Sequence, residues 1–247
     1  MSTDSAHPSA GLHLHEADDL PTMTEAVANF VIVQLAQAIA EEGEALLAVS
    51  GGRSPQPLLE RLAREPIDWS RVTVVVVDER AVGLRHPLSN TAAIRDWLLR
   101  DRALGADLRI FVPDNAETLD PERLAREANA QFPMARRITV ALLGIGADGH
   151  FASIFPDMTD LEAAIDPESA LTYMPVCLHK PPSEAPVDRV SLSLACLLRA
   201  RCLVLPIAGA TKVAALERAL TMPDPRWPVS LLIHQRRAPL HVWLARR

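Results

Sequence analysis

The chain has 247 residues, a formal net charge of −6, 49% hydrophobic residues, 20 Pro, 10 Gly and 3 Cys. That length and apolar share suit one large α/β domain or two small ones with a substantial core, and exclude disordered, collagen-like and disulfide-stapled chains. The negative balance argues against a duplex nucleic-acid binder or an anionic-membrane protein, because both need a broad cationic face, so an anionic ligand requires a local basic pocket.

Residues 1–20 show no basic segment followed by an apolar one, and no apolar run approaches the roughly 18 residues of a membrane span. A soluble, cytoplasmic protein without membrane or nucleic-acid partners is expected. These twenty residues read as an N-terminal extension or first strand, with His13 and His15 exposed or at a strand edge rather than binding metal. No repeat, low-complexity tract or linker interrupts residues 21–247, which read as one domain. Cys177, Cys196 and Cys202 are odd in number and contain no CxxC pair, so they suggest neither a disulfide framework nor a thiolate zinc site.

From Thr22 to Glu42 the apolar positions Val27, Phe30, Val31, Leu35, Ala38 and Ile39 fall on one helical face, with Thr22 and Glu25 as a capping box and Gly43 as terminator. Ala45–Val49 reads as a buried strand that runs into Ser50-Gly51-Gly52-Arg53-Ser54-Pro55 and a helix through Leu58, Leu59 and Leu62. Val72–Val77 is a β-branched strand ending in Asp78-Glu79-Arg80, and Ser89 can cap a helix through Ile94, Trp97 and Leu98. Ile138–Leu143 is a third buried strand, ending in Gly144-Ile145-Gly146-Ala147-Asp148-Gly149-His150. Val190–Leu194, Cys202–Ala208 and Leu240–Leu244 read as further strands of the same layer, and Lys212–Leu220 as a helix. The Pro-rich stretches 157–184 and 221–230 read as loops. Continuous apolar strands followed by helices imply an α/β fold with a mainly parallel sheet covered on both faces, whose ligands sit beyond the C-terminal strand ends.

Five of the ten glycines lie in two loops, Gly51-Gly52 and Gly144/Gly146/Gly149. The Ser50–Pro55 loop offers backbone N–H groups at a helix start, two hydroxyls and Arg53, a combination suited to phosphate. A tight turn capped by Ser54, with Pro55 at the first helical position, is the other reading. The loop lacks the GK[ST] ending of a nucleotide-binding P-loop. Gly144-x-Gly146-x-x-Gly149 matches the dinucleotide fingerprint, but residues 158–170 contain Pro167 and no second strand ending in an acid, which argues against nicotinamide binding. Asp148 and His150 offer an acid-base pair, His150 as general base and Asp148 as its orienting carboxylate or a hydroxyl contact. A histidine that merely caps a following helix is the alternative. Asp78, Glu79 and Arg80, ending another strand of the same sheet, either converge on that crevice or are solvated. Lys212, one of only two lysines, is either a phosphate contact or a solvated first-turn residue.

Ser50–Pro55, Asp78-Glu79-Arg80 with His86-Pro87-Leu88-Ser89-Asn90, Leu143–Pro156 and Gly209-Ala210-Thr211-Lys212 together resemble the ordered signature of 6-phosphogluconolactonases, over nearly the whole chain. The resemblance implies a three-layer α/β fold, similar to sugar-phosphate deaminases and ribose-5-phosphate isomerases. It also implies hydrolysis of 6-phospho-D-glucono-1,5-lactone to 6-phosphogluconate without cofactor or metal. The expected roles are His150 as base for the attacking water, Asp148 as its partner, and amides near Gly144 and Gly146 as oxyanion donors. Ser50, Gly51, Gly52, Arg53, Ser54, Arg80 and Lys212 are expected to hold the phosphate, with Asp78 on a sugar hydroxyl. Phe151 and Ala81 replace a common Thr and a common aromatic, departures expected to alter pocket shape. Ile154-Phe155-Pro156 stands where the deaminases carry Asn-Glu-Pro, which argues against that chemistry. A non-catalytic sugar-phosphate sensor would need a DNA-reading segment, for which residues 1–20 are too short. Monomer and homodimer both remain open.

Overall fold

The computed structural model describes residues 11–245. The part of the N-terminal segment at 1–10 lies outside them. In chain order the elements are β1 (Leu12–Ala17), α1 (Leu20–Glu42), β2 (Ala45–Val49), α2 (Gln56–Leu62), β3 (Val72–Val76), β4 (Asp78–Arg80), α3 (Asn90–Leu98), β5 (Asp107–Leu108) and α4 (Pro121–Gln131). They continue with β6 (Val140–Leu142), α5 (Leu161–Ile165), β7 (Tyr173–Val176), β8 (Arg189–Leu192), α6 (Leu194–Leu197), β9 (Cys202–Ala208), α7 (Ala210–Ala219), α8 (Val229–His234) and β10 (Leu240–Ala245).

Seven strands form one sheet in the order β1-β10-β9-β6-β2-β3-β5, and every neighbouring pair is parallel. All five side chains of β2 and all five of β3 are buried, as strands covered on both faces must be. Because β9, β6 and β2 are adjacent, the Gly209–Lys212, Gly144–His150 and Ser50–Ser54 segments leave the same edge of the sheet side by side. Backbone bonds prolong the ladder to that edge, from Ser50 N to Leu142 O (3.0 Å) and from Leu143 N to Val204 O (2.9 Å).

Asp78–Arg80 does not end a strand of this sheet, nor does the Val190 segment belong to it. Both lie in a second, antiparallel sheet ordered β4-β8-β7, with Asp78 opposite Ser191 and Arg80 opposite Arg189. Val77 is the switch: its N–H donates to Val49 O (2.8 Å) in the large sheet and its carbonyl accepts from Leu192 N (2.8 Å) in the small one. Apolar periodicity marks a strand but not its partner, so the change of sheet was invisible in the sequence. The stretch expected to be a loop at 157–184 also contains α5 and β7, and Pro175 is tolerated because β7 is an edge strand.

The N-cap of α1 lies three residues earlier than the Thr22–Glu25 box predicts. Asp19 is the N-cap, accepting from Thr22 N at 2.8 Å, with Pro21 in the first turn. Gly43 closes the helix at φ 82°, a left-handed conformation that favours glycine. By length and composition α1 is apolar enough to cross a membrane, which the sequence reading had not allowed. One face of it nevertheless buries Met23, Val27, Ala28, Val31, Leu35 and Ala38 over the sheet. Ser89 caps α3 as expected, accepting from Ala92 N at 3.1 Å.

His13 and His15 sit on the edge strand β1 and are partly buried in a stack with the next strand: His13 on His241 (4.6 Å between centroids) and His15 on Trp243 (4.1 Å). His15 Nε2 lies 3.0 Å from His241 Nδ1. Burial, reinforced by His13 and His15, pushes His241 down to about 4. A folded-state value below the ordinary 6.5 means that its contribution to stability is present above pH 6.5 and is lost as pH falls toward 4. The urea midpoint should therefore drop between pH 6.5 and 4, and His241→Phe, which keeps a ring in the stack, should flatten that drop.

Candidate active site

A cavity of about 430 Å³ opens at the edge where β2, β6 and β9 end. It is lined by Ser50, Gly51, Gly52, Arg53 and Ser54 on one side, by Gly144, Ile145 and His150 on another, and by Asp78, Arg80, Asn90, Arg189 and Lys212. Four cations, Arg53, Arg80, Arg189 and Lys212, face one carboxylate, Asp78, so the cavity is basic although the chain is acidic.

The glycine loop turns through Gly52 at φ 82°. Pro55, not Ser54, occupies the N-cap position of α2, and no side chain caps that helix, contrary to the turn reading that used Ser54 as cap. Ser54 instead accepts a hydrogen bond from Lys212 Nζ at 3.1 Å, which joins the two segments expected to meet a phosphate. Half-burial lowers the Lys212 ammonium below its ordinary value. Ser50 Oγ is buried without a hydrogen-bond partner. Helix α7 likewise begins at Gly209 (φ 88°) with no capping side chain. Uncapped first-turn N–H groups at the end of a helix dipole favour an anion.

The Gly144–His150 loop closes on itself. His150 Nδ1 lies 2.6 Å from Asp148 Oδ1, and Gly146 N donates to His150 O at 2.9 Å. Burial opposes ionisation of Asp148, but the hydrogen bonds and charge of His150 outweigh it, so its carboxyl titrates below the usual range. A carboxylate on Nδ1 fixes that nitrogen as the protonated one and leaves Nε2 as the basic site. No helix follows Gly149, so His150 caps none and the dinucleotide fingerprint lacks its helix. Two sequence assignments shift here. Gly146 does not line the cavity and its amide is committed to His150 O, so it is not a free oxyanion donor. Asp148 stands behind His150 rather than on the cavity wall.

On the opposite side, the buried Glu79 carboxylate organises the wall. It accepts from the backbone N–H groups of Arg80, Asn90 and Thr91, each at 2.7 Å, and from Ser89 Oγ at 3.2 Å. Burial pushes this carboxyl up, opposed by those same donors. The Asn90 side chain donates to Asp78 O (2.8 Å) and accepts from Arg80 Nη1, which also donates to Leu88 O (3.0 Å). A side chain at position 51 would collide with Asn90, so Gly51 brings the glycine loop onto this wall. Asp78 accepts from Ser153 Oγ at 2.7 Å. Ala152, between His150 and Ser153 and also on the cavity wall, has φ 50°, a strained value for a residue with a Cβ.

Sequence reasoning missed Asn90 as a structural partner of Arg80, although it is part of the quoted motif, and missed Arg189 entirely. Arg189 comes from the small sheet, which the sequence did not reveal. Arg85, by contrast, is exposed, pairs with Asp114 at 3.6 Å and is absent from the cavity lining. Phe151 is fully buried and Ala81 borders a separate small pocket, so neither departure lines the cavity. Among the described residues, no group of three or more His, Cys, Asp or Glu side chains is placed to hold a metal ion.

Residues 18–243 match the model of the glucosamine-6-phosphate isomerases/6-phosphogluconolactonase family. The chain belongs to that family. It is 37% identical over 234 residues to the 6-phosphogluconolactonase of Pseudomonas aeruginosa PAO1, covering 94% of each chain. It is 33% identical to that of Neisseria meningitidis, covering 94% of this chain and 98% of the relative. A solved 6-phosphogluconolactonase structure from Shewanella baltica superposes with a TM-score of 0.86 at 29% identity, over 97% of this chain and all of the other. A monomeric glucosamine-6-phosphate deaminase shares the fold at 21% identity and a TM-score of 0.74. The lactonase resemblance and the α/β fold class expected from the sequence agree with these relatives.

The space at Gly146 makes one prediction. A Cβ there would overlap both His150 Nδ1 and Asp148 Oδ1, whereas one at Gly144 meets nothing within 4 Å. Gly146→Ala should abolish the hydrogen-bonded imidazole proton signal of His150 in NMR spectra, and Gly144→Ala should preserve it.

Proposed function

We propose that the protein hydrolyses 6-phospho-D-glucono-1,5-lactone to 6-phospho-D-gluconate, the second step of the oxidative pentose phosphate pathway, as a soluble cytoplasmic enzyme. The observation that carries this reading is His150, held from behind by Asp148, on one wall of a cavity whose other walls carry the glycine loop and Lys212. The substrate combines an anion with an ester, and the cavity combines an anion cradle with a general base.

In this mechanism the phosphate lies against the Ser50–Ser54 loop, with Arg53 and Lys212 supplying charge. Anchoring one end of the sugar orients the other, so phosphate affinity becomes positioning of the lactone. Water attacks C1 as His150 Nε2 takes its proton, and Asp148 stabilises the imidazolium. The tetrahedral intermediate then collapses, the bond from C1 to the ring oxygen breaks, and His150 returns its proton to that oxygen. Phe155 supports the lactonase reading over an isomerase or deaminase: it occupies the segment where the deaminases carry a glutamate, and its ring stacks on His150 at 4.1 Å.

Two outcomes are expected in a coupled assay with freshly generated lactone, corrected for spontaneous hydrolysis. His150→Ala should lower kcat by about 10²–10⁴-fold, the usual worth of general-base help; near wild-type turnover would exclude the base role. Lys212→Ala should raise KM by about tenfold or more, in line with losing a charge-assisted hydrogen bond. An unchanged KM would remove Lys212 from the phosphate site.

A further inference from the structure

Arg189, on β8, is 5% exposed and lines the cavity. Its hydrogen bonds are at the long limit, with Nη1 3.5 Å from Ser153 Oγ and Nη2 3.4 Å from Ala185 O. Its Nε is buried with no partner, and among the described residues no carboxylate oxygen lies within 4.0 Å of the guanidinium. The Asp78 and Asp148 carboxylates act on it only from beyond ion-pair distance, Asp78 through the shared Ser153 hydroxyl, so the buried guanidinium lacks a direct anion and the position suits one that arrives from outside.

The place of the charge says which anion. The Arg189 Cζ lies 4.9 Å from the centroid of Phe155, the ring that stacks on His150. Arg189 thus serves the reacting end of the cavity, while Lys212 bonds Ser54 at the glycine-loop end. The Gly146 amide, one of the expected oxyanion donors, is already committed to His150 O.

We propose that Arg189 is a catalytic residue that holds the C1 oxygen of the lactone as negative charge develops there, and afterwards binds the carboxylate of the product. The proposal rests on the lactonase reading of the site. As the water oxygen bonds to C1, the carbonyl π pair moves onto the C1 oxygen beside Arg189. It returns when the bond to the ring oxygen breaks. The product acid then loses its remaining water-derived proton to solvent, and the resulting carboxylate contains that oxygen and the one from water, a planar pair matched to the guanidinium fork.

The test compares two ligands by calorimetry: 6-phosphogluconate, and glucitol 6-phosphate, which has a hydroxyl group in place of the carboxylate. The wild type should prefer 6-phosphogluconate. Arg189→Gln should weaken 6-phosphogluconate by about 10- to 100-fold, the range for a charge-assisted contact, and glucitol 6-phosphate by less than about twofold. Its kcat should fall by about 10²–10³-fold, as for loss of an oxyanion donor. Arg189→Lys, which keeps the charge and loses the fork, should show the same pattern more weakly and replaces the Gln variant if that protein does not fold. Equal losses for both ligands in a folded variant would overturn the assignment. So would equal wild-type affinities for the two ligands in a protein that hydrolyses the lactone, a measurement that needs no variant. A wild type that does not accelerate lactone hydrolysis would instead overturn the lactonase reading itself.

Discussion

Parallel pairing of three adjacent strands is the constraint on which the site depends. In a parallel sheet all C-terminal strand ends reach one edge, and the order β9-β6-β2 makes three of those ends neighbours. The bonds from Ser50 N to Leu142 O and from Leu143 N to Val204 O hold the departing loops in register. A one-residue slip would exchange the two buried faces of β2 and β3 and put each side chain into a space shaped for another, so the close-packed core that stabilises the sheet also enforces the geometry of the cavity.

The antiparallel sheet supplies what the parallel one does not. Val77 bonds to both, so Asp78 and Arg80 on β4 and Arg189 on β8 are carried to the cavity wall. Glu79 makes that placement rigid. Its carboxylate caps the start of α3 through the Asn90 and Thr91 amides, the role an anion plays at a helix N-terminus, and accepts from the Arg80 amide on β4, and so joins Arg80 to Asn90. With Glu79 turned inward and Asp78 hydrogen-bonded to Ser153, acidic side chains neighbouring the cavity are engaged while its cations line the wall. A chain of net charge −6 can in this way present a basic site.

Phe155 links His150 to Arg189. An aromatic ring here offers His150 a stacking surface and Arg189 a cation-π contact, where a carboxylate would instead pair with both. One ring therefore touches both the imidazole of His150 and the guanidinium of Arg189.

The sequence by itself determined the parallel α/β class, the glycine loops, and the Asp148–His150 pair, because these are local: buried strands read as apolar runs, and a two-residue spacing lets a carboxylate reach the imidazole. Ser50, Arg53, Ser54, Arg80 and Lys212 were legible as candidates because glycine turns and strand ends mark where ligands meet a parallel sheet. Only the tertiary structure decided which strands pair. It moved Asp78–Arg80 to a second sheet, spent the Gly146 amide on His150, replaced the Thr22 cap of α1 by Asp19, and brought Arg189 into the cavity from 39 positions beyond His150. The reason is physical: hydrogen bonding between strands and the burial of an unpaired charge depend on which distant segments meet, and periodicity along one chain does not carry that information.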